Sequence, residues 1–351
     1  MLAQAQEEEA RQLDGELPLP SPYLLFLGDT VDPSYAKTAF GLRDWAADRV
    51  VGEFALPSAG VTLDLPRLRP ADAYAVGARA LVIGVANSGG FVDPSWLPAL
   101  EEALEHGLDI VSGLHTRLES VPELKRAADR NGRRLINVRT PVKGMKVGDG
   151  LKRSGKRLLT VGTDCALGKK YSALAIARAF QDRGVDADFR ATGQTGIMIS
   201  GGGVPMDAVV ADFAAGAAEG LSPAADPTHW DVIEGQGSIL HPSFAGVSLA
   251  LLHGSQPDVF VVCHHPTRSR MVGSEGFAVP DVEEIVDLTI RLGRRTNPAI
   301  RWGGVCLNTA GMEEQEAART LAAARERLGV PVADPMRGGA PFEELIDECL
   351  K

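Results

Sequence analysis

Residues 158–180 read LLTVGTDCALGKKYSALAIARAF, and their pattern decides the fold. Leu158, Leu159, Thr160 and Val161 form a short apolar run with the look of a buried parallel strand. Tyr171 to Phe180 predicts a helix with Ala173, Ile176 and Phe180 on one apolar stripe. Between them lies the glycine-bounded loop Gly162-Thr163-Asp164-Cys165-Ala166-Leu167-Gly168-Lys169. A strand, a glycine turn and a helix N-terminus together make an anion cradle. The turn aims backbone N–H groups, the helix dipole adds positive potential, and the lysine adds a full charge.

The same alternation extends outward on both sides. Strands are expected at Tyr23–Leu27, Leu81–Val85, Asp109–Val111 and Leu135–Val138, with helices at Tyr35–Ala47, Trp96–His106 and Pro122–Arg130. Beyond the loop, strands are expected at Ala187–Arg190, Trp230–Ile233, Val259–Cys263, Gly304–Leu307 and Pro331–Ala333. A long Ala-rich helix is expected over Pro205–Ala218, with further helices at Val247–Leu252, Asp281–Leu292, Glu313–Leu328 and Phe342–Leu350. Strands alternating with helices give an α/β fold with parallel sheets. The 351 residues exceed one ordinary core, so two domains are expected. The Lys/Gly-rich stretch Thr140–Lys156 is the expected linker, dividing a tail (1–20) and an N-terminal Rossmann-like domain (21–147) from a P-loop domain (148–351).

A net charge of −10 without a basic block argues against nucleic acid or an anionic membrane as partner. Cys165, Cys263, Cys306 and Cys349 are scattered with no C-x-x-C pair, which fits a reducing cytoplasm and no zinc site. The acidic start (Glu7, Glu8, Glu9) has no leader pattern, and no apolar run reaches the roughly 18 residues of a membrane span. No His/Asp/Glu spacing reads as a metal site, so no metal is expected.

The loop departs from the common nucleotide motif G-x-x-x-x-G-K-[ST] in two ways. Five residues separate Gly162 from Gly168, and Lys170 stands where a Ser or Thr would ligate magnesium. Ser172 lies about 300° round the helix and roughly 4.5 Å further along, so it does not take over that role. Phosphate binding is expected to survive; ATP hydrolysis is not. Cys165 reads as a small loop filler in preference to a nucleophile.

Gly162-Thr163-Asp164 with Gly168-Lys169 resembles the variant phosphate loop of dethiobiotin synthetase and its relatives, as does Glu234-Gly235-Gln236-Gly237 at a strand end. Over nearly the whole chain the sequence resembles a two-domain family that pairs a Rossmann-like domain with such a P-loop domain. The matching segments are Ala36–Ala39 with Gly41-Leu42, Ser112–His115, Gly162–Cys165, Gly193–Gly196 and Glu234–Ser238. Lys170-Tyr171 is similar to the subgroup that acetylates the nitrogen of D-glutamate from acetyl-CoA in D-amino-acid catabolism. That resemblance implies Gly162, Thr163, Asp164, Cys165, Gly168, Lys169 and Lys170 around the cofactor phosphates, with Asn308 (beside Thr309) at the adenine. It implies acetyl-CoA as co-substrate, a small amino-acid substrate and a homo-oligomer, expected as a dimer.

Acyl transfer to an amine needs a base, oxyanion donors and cations for the substrate carboxylates. Glu234 is either that base or a carboxylate that orders loop N–H groups. Gln236, with the N–H groups of Gly235 and Gly237, either serves the oxyanion or forms a tight turn. His264 or His265 is an alternative base or a structural element, and His241 has the same ambiguity. Asp164 orders the loop, contacts substrate or acts as base. Arg190, Gln194, Arg268 and Arg270 are the candidates for holding substrate, salt bridges being the alternative for each arginine. The rival readings are an ATP-dependent kinase or ligase and a non-enzymatic nucleotide-binding module.

Overall fold

Tyr23–Phe26 (β1) and Ala80–Ile83 (β3) are apolar runs buried at every position, as strands covered on both faces must be. The computed structural model describes residues 19–87, 89–140 and 144–351. The expected tail up to residue 18, Ser88 and Lys143 lie outside these.

By internal packing the described chain divides into two compact units, one of residues 19–140 with 194–205, the other of residues 144–193 with 206–351. The division falls before the expected 147/148 boundary because residues 146–150 are built into the second unit. Asp149 and Gly150 donate their N–H groups to Glu219 (3.1 and 2.9 Å). A Cβ on Gly216 would stand 1.8 Å from the Lys146 carbonyl oxygen.

The first unit carries a five-stranded parallel sheet. In chain order its strands are β1, β2 (Val50–Phe54), β3, β4 (Asp109–Ser112) and β5 (Leu135–Asn137), and their spatial order is β2-β1-β3-β4-β5. Strand β2 escapes a reading by apolar runs because it contains Gly52 and the fully buried Glu53. Gly52 admits the Pro66 carbonyl, which would be 2.4 Å from any Cβ. The Glu53 carboxylate is answered by Thr62 Oγ1 (2.8 Å), the Leu63 N–H (2.5 Å) and Arg67 Nε (3.3 Å). A helix at Gln194–Ser200 packs on the helix Lys37–Trp45 of the same unit. Thr38 and Thr195 share a buried hydroxyl contact of 2.9 Å there.

The second unit holds a six-stranded parallel sheet and a small hairpin. Its strands are β6 (Lys156–Gly162), β7 (Ala187–Arg190), β8 (Trp230–Ile233), β9 (Val259–His264), the hairpin β10 (Arg270–Met271) and β11 (Ser274–Ala278), β12 (Arg301–Leu307) and β13 (Val332–Ala333). The sheet order β13-β12-β9-β6-β8-β7 puts β6 between β9 and β8. The register Gly162↔Cys263 and Leu307↔His264 aligns the C-terminal ends, so their loops share one edge. That edge is where ligands bind in open parallel sheets. The expected helix Pro205–Ala218 is instead two short turns, Met206–Ala208 and Ala211–Phe213, followed by a helix at Ala214–Leu221. Val210 is extended (φ −61°, ψ 135°), in keeping with the stiff β-branched pair Val209-Val210.

Candidate active site

The loop after β6 is built so that its carbonyls face inward. Lys169 Nζ donates to the Asp164 carbonyl (2.7 Å), while Arg268 donates to the carbonyls of Cys165 (2.6 Å) and Ala166 (3.2 Å). In a trans peptide the next N–H points opposite to its carbonyl. The N–H groups of Cys165, Ala166 and Leu167 therefore turn away from both cations. Ala166 sits in the left-handed region (φ +49°), which bends the chain round, and Gly168 (φ +102°) starts the helix Lys169–Asp182. Lys169 is buried, and burial lowers its ammonium pKa against the pull of nearby acidic groups including Asp164 and Glu234.

Asp164 is fully buried and ties this loop to its surroundings. Its Oδ2 accepts from Arg268 Nη1 and from the Val272 N–H of the hairpin turn, both at 3.0 Å. Its Oδ1 has no hydrogen-bond partner among the described residues and lies 3.8 Å from His241 Nε2. Asp164, Cys165 and His241 bring their donor atoms within 4.8 Å of one another, a set whose composition suits a soft metal. The tautomer of His241 argues otherwise. The Ser243 N–H donates to Nδ1 (3.1 Å), so Nε2 carries the hydrogen and directs it at the Val272 carbonyl (3.3 Å). A cation on Nε2 would require the other tautomer and set two N–H groups against each other. The same tautomer leaves no lone pair for the Cys165 thiol, whose pKa burial raises. The trio braces the loop.

The second cluster comes from β8, adjacent to β6. Gly235 is obligatory, since a Cβ would meet the Thr160 carbonyl oxygen at 1.6 Å. Its N–H donates to Thr160 Oγ1 (2.9 Å), which commits it to the turn and away from an oxyanion. Glu234 Oε2 accepts the N–H groups of Thr192 (2.9 Å) and Gly193 (3.1 Å). Gln236 Nε2 donates to Thr192 Oγ1 (2.9 Å), which in turn donates to the Glu234 carbonyl (2.7 Å). Glu234 is 5% exposed, and burial raises its carboxyl pKa against the N–H donors and the charges of Lys170 and Lys169. His264, at the end of β9, contacts Thr163 Oγ1 through Nδ1 (2.9 Å). Burial lowers its imidazole pKa, which keeps it neutral near pH 7.

Residues 146–345 match the P-loop domain described as a domain of unknown function (DUF1611_C), and residues 50–141 match the Rossmann-like domain DUF1611_N. The chain belongs to the DUF1611 family. A relative from Tritonibacter scottomollicae is 48% identical over 92% of this chain and 97% of its own length. Another from Pseudoalteromonas is 46% identical over 91% and 96%. Both are named D-glutamate N-acetyltransferase. The crystal structure of a DUF1611 protein from Anabaena variabilis superposes with a TM-score of 0.82 at 30% identity, covering 94% of this chain and 99% of that one.

Within this DUF1611 fold the remaining sequence candidates disperse. Asn308 follows β12 on the same sheet edge, donating its N–H to the His264 carbonyl (2.8 Å) and accepting from the Ala310 N–H (3.0 Å). Arg190 turns back along its strand to Asp231 (2.5 Å) and Asp188 (3.2 Å), away from the strand ends. Gln194 belongs to the first unit, its amide donating to the Gly113 carbonyl (2.5 Å) and accepting from Arg139 (3.2 Å). Arg268 is spent on the loop, and Arg270 is exposed at the start of the hairpin. Thr160, Thr192 and the Val272 N–H were not singled out by motif. The two threonines work through hydroxyls whose partners are distant in sequence, and Val272 through its N–H, for which residue type carries no signal.

Proposed function

We propose that this DUF1611 protein transfers an acetyl group from acetyl-CoA to the amino group of D-glutamate, with the loop Gly162–Lys169 holding the donor's diphosphate. The observation that carries this reading is the pairing of an outward N–H nest over a buried lysine with a buried carboxylate one strand away. The names of relatives matching over 90% of the chain support the substrate.

The residues fit the donor. The nest and Lys169 suit a diphosphate, and Lys169 exchanges its own carbonyl partner for phosphate oxygen. When bound, acetyl-CoA supplies the activated acetyl thioester. Glu234, its affinity for a proton raised by burial, takes the proton from the substrate ammonium and leaves the amine nucleophilic. Thr192 and Gly193 fix the carboxylate through their N–H groups, and Gln236 is held beside it. Neutral His264 steadies the loop through Thr163. Arg270 offers an exposed cation to a substrate carboxylate. No helix among the described residues is long and apolar enough to cross a membrane. With free cysteines and a net charge of −10, we assign the enzyme to the cytoplasm, as a dimer in D-amino-acid catabolism.

The test is direct. Incubation with D-glutamate and acetyl-CoA is expected to release free CoA thiol in proportion to N-acetylglutamate. Magnesium-dependent ADP formation without thiol release would overturn the reading in favour of a kinase or ligase.

A further inference from the structure

Phe244 and Val272 are large apolar side chains of the second unit left 46% and 45% exposed. Single exposed apolar residues are ordinary on a protein surface. These two flank one imidazole and are held in place. The Phe244 ring stacks on the buried His241 ring at 4.7 Å between centroids. Val272 gives its N–H to Asp164 Oδ2 (3.0 Å), and its carbonyl accepts from His241 Nε2 (3.3 Å), so its backbone is committed while its side chain is not. The same contacts locate the pair. Val272 is one hydrogen bond from Asp164, inside the loop proposed to hold the diphosphate. Phe244 packs on Gly237 (φ +60°), where a Cβ would stand 2.8 Å from the Phe244 Cβ. Gly237 lies three residues after Glu234, the proposed base. Ser248 Oγ fastens that side by reaching the carbonyls of Gln236 (2.6 Å) and Phe244 (3.2 Å).

We propose that Phe244 and Val272 form the seat for the pantetheine arm of the donor. This deepens the acetyl-CoA reading and rests on it for the ligand's identity. The arm joins the diphosphate to the thioester, so it has to run from the Gly162–Lys169 loop to the neighbourhood of Glu234. The apolar pair is anchored to both ends of that run, through Asp164 at one and Gly237 at the other. The chemistry agrees. The arm is uncharged, and the paired methyl groups near its diphosphate end gain by leaving water for an apolar surface. Side chains already fixed by their neighbours lose little rotamer freedom when the arm covers them.

The experiment titrates full-length protein with CoA and, separately, with ADP, which keeps the diphosphate and lacks the arm. Phe244→Ala and Val272→Ser are each expected to weaken CoA about threefold, and the double variant about tenfold, while ADP binds each as tightly as wild type. Phe244→Leu, which keeps an apolar surface, is expected to hold CoA within about twofold of wild type. In turnover the double variant should show a raised KM for acetyl-CoA against an unchanged KM for D-glutamate. Matching far-UV circular dichroism keeps fold loss out of the comparison. Equal weakening of CoA and ADP, or no weakening of CoA, overturns the seat. A lower molecular mass of the double variant by light scattering assigns the pair to contact with a second copy of the chain and overturns it as well. CoA and ADP that follow the expected pattern, in a wild type that releases no thiol from acetyl-CoA with D-glutamate, support the seat and overturn the reaction.

Discussion

Two glycine turns leave parallel strands in this molecule, and they have opposite polarity. After β1, Gly28 (φ +56°) lies under Trp96, and Asp29 accepts the Trp96 Nε1–H (2.8 Å). The carbonyls of Gly28 and Thr30 are taken by the N–H groups of Leu56 (2.8 Å) and Gly60 (3.0 Å). Backbone answers backbone, and the turn is closed on itself. After β6, cationic side chains take the carbonyls of Asp164, Cys165 and Ala166, and the N–H groups are left to face a ligand. The two turns differ in what satisfies their carbonyls: neighbouring N–H groups after β1, side-chain cations after β6.

The strongest way to break this contrast is Lys169→Ala, expected to lower kcat/KM for acetyl-CoA at least about hundredfold, while the KM for D-glutamate moves little. An unchanged donor KM would show that the loop holds something else. Glu234→Gln is expected to cut kcat about hundredfold with both KM values nearly unchanged. Because burial raises the Glu234 pKa, wild-type kcat/KM should fall on the acid side at a pH above the ordinary carboxylate value of about 4.3. The stability sign is opposite to the activity sign. A carboxyl whose folded pKa is raised contributes stability in acid that is lost as pH rises through that pKa. Glu234→Gln should therefore raise Tm at neutral pH, with the gain vanishing in acid.

Gly28→Ala sharpens the comparison from the other side. It forces a Cβ to 2.7 Å from Trp96 in a left-handed conformation, at a cost of about 2 kcal/mol read as a lower Tm. Both KM values should hold. The smallest effect is expected at Cys165→Ala. Its thiol pKa is raised and His241 has no lone pair for it, so kcat should stay within about twofold. A large loss there would reinstate a thiol nucleophile.

The loop and its flanking strand and helix are legible from residues 158–180 because they are contiguous, and a local pattern encodes a local structure. What closes the site is not contiguous. Arg268 reaches Asp164 across 104 positions; the sequence leaves it as a substrate clamp or a salt bridge, and only the fold shows which carboxylate it meets. Glu234 is visible as an acid at a strand end, but its pKa shift comes from burial, which only the packed sheet creates. His241 carries a tautomer fixed by Ser243, two residues away, yet its meaning depends on Asp164 and Val272. Strand β2 was hidden by Glu53, a charge that is affordable inside because three donors converge on it.

The helix Gln194–Ser200 gives the first unit a timetable. Thr195 completes a contact with Thr38 that spans 157 positions, so this part of the unit's packing cannot form when residue 140 emerges from the ribosome. At about 5–20 residues per second, residues 142–205 take roughly 3–13 s to make. Through that interval the face of Lys37–Trp45 meant for the later helix stays uncovered, and β6 and β7 of the second unit are already synthesised. The nascent chain therefore carries one sheet whose five strands are made but whose last helix is missing, and a second sheet only begun. A fragment cut at residue 141 would lack the helix Gln194–Ser200 and its contact with Thr38.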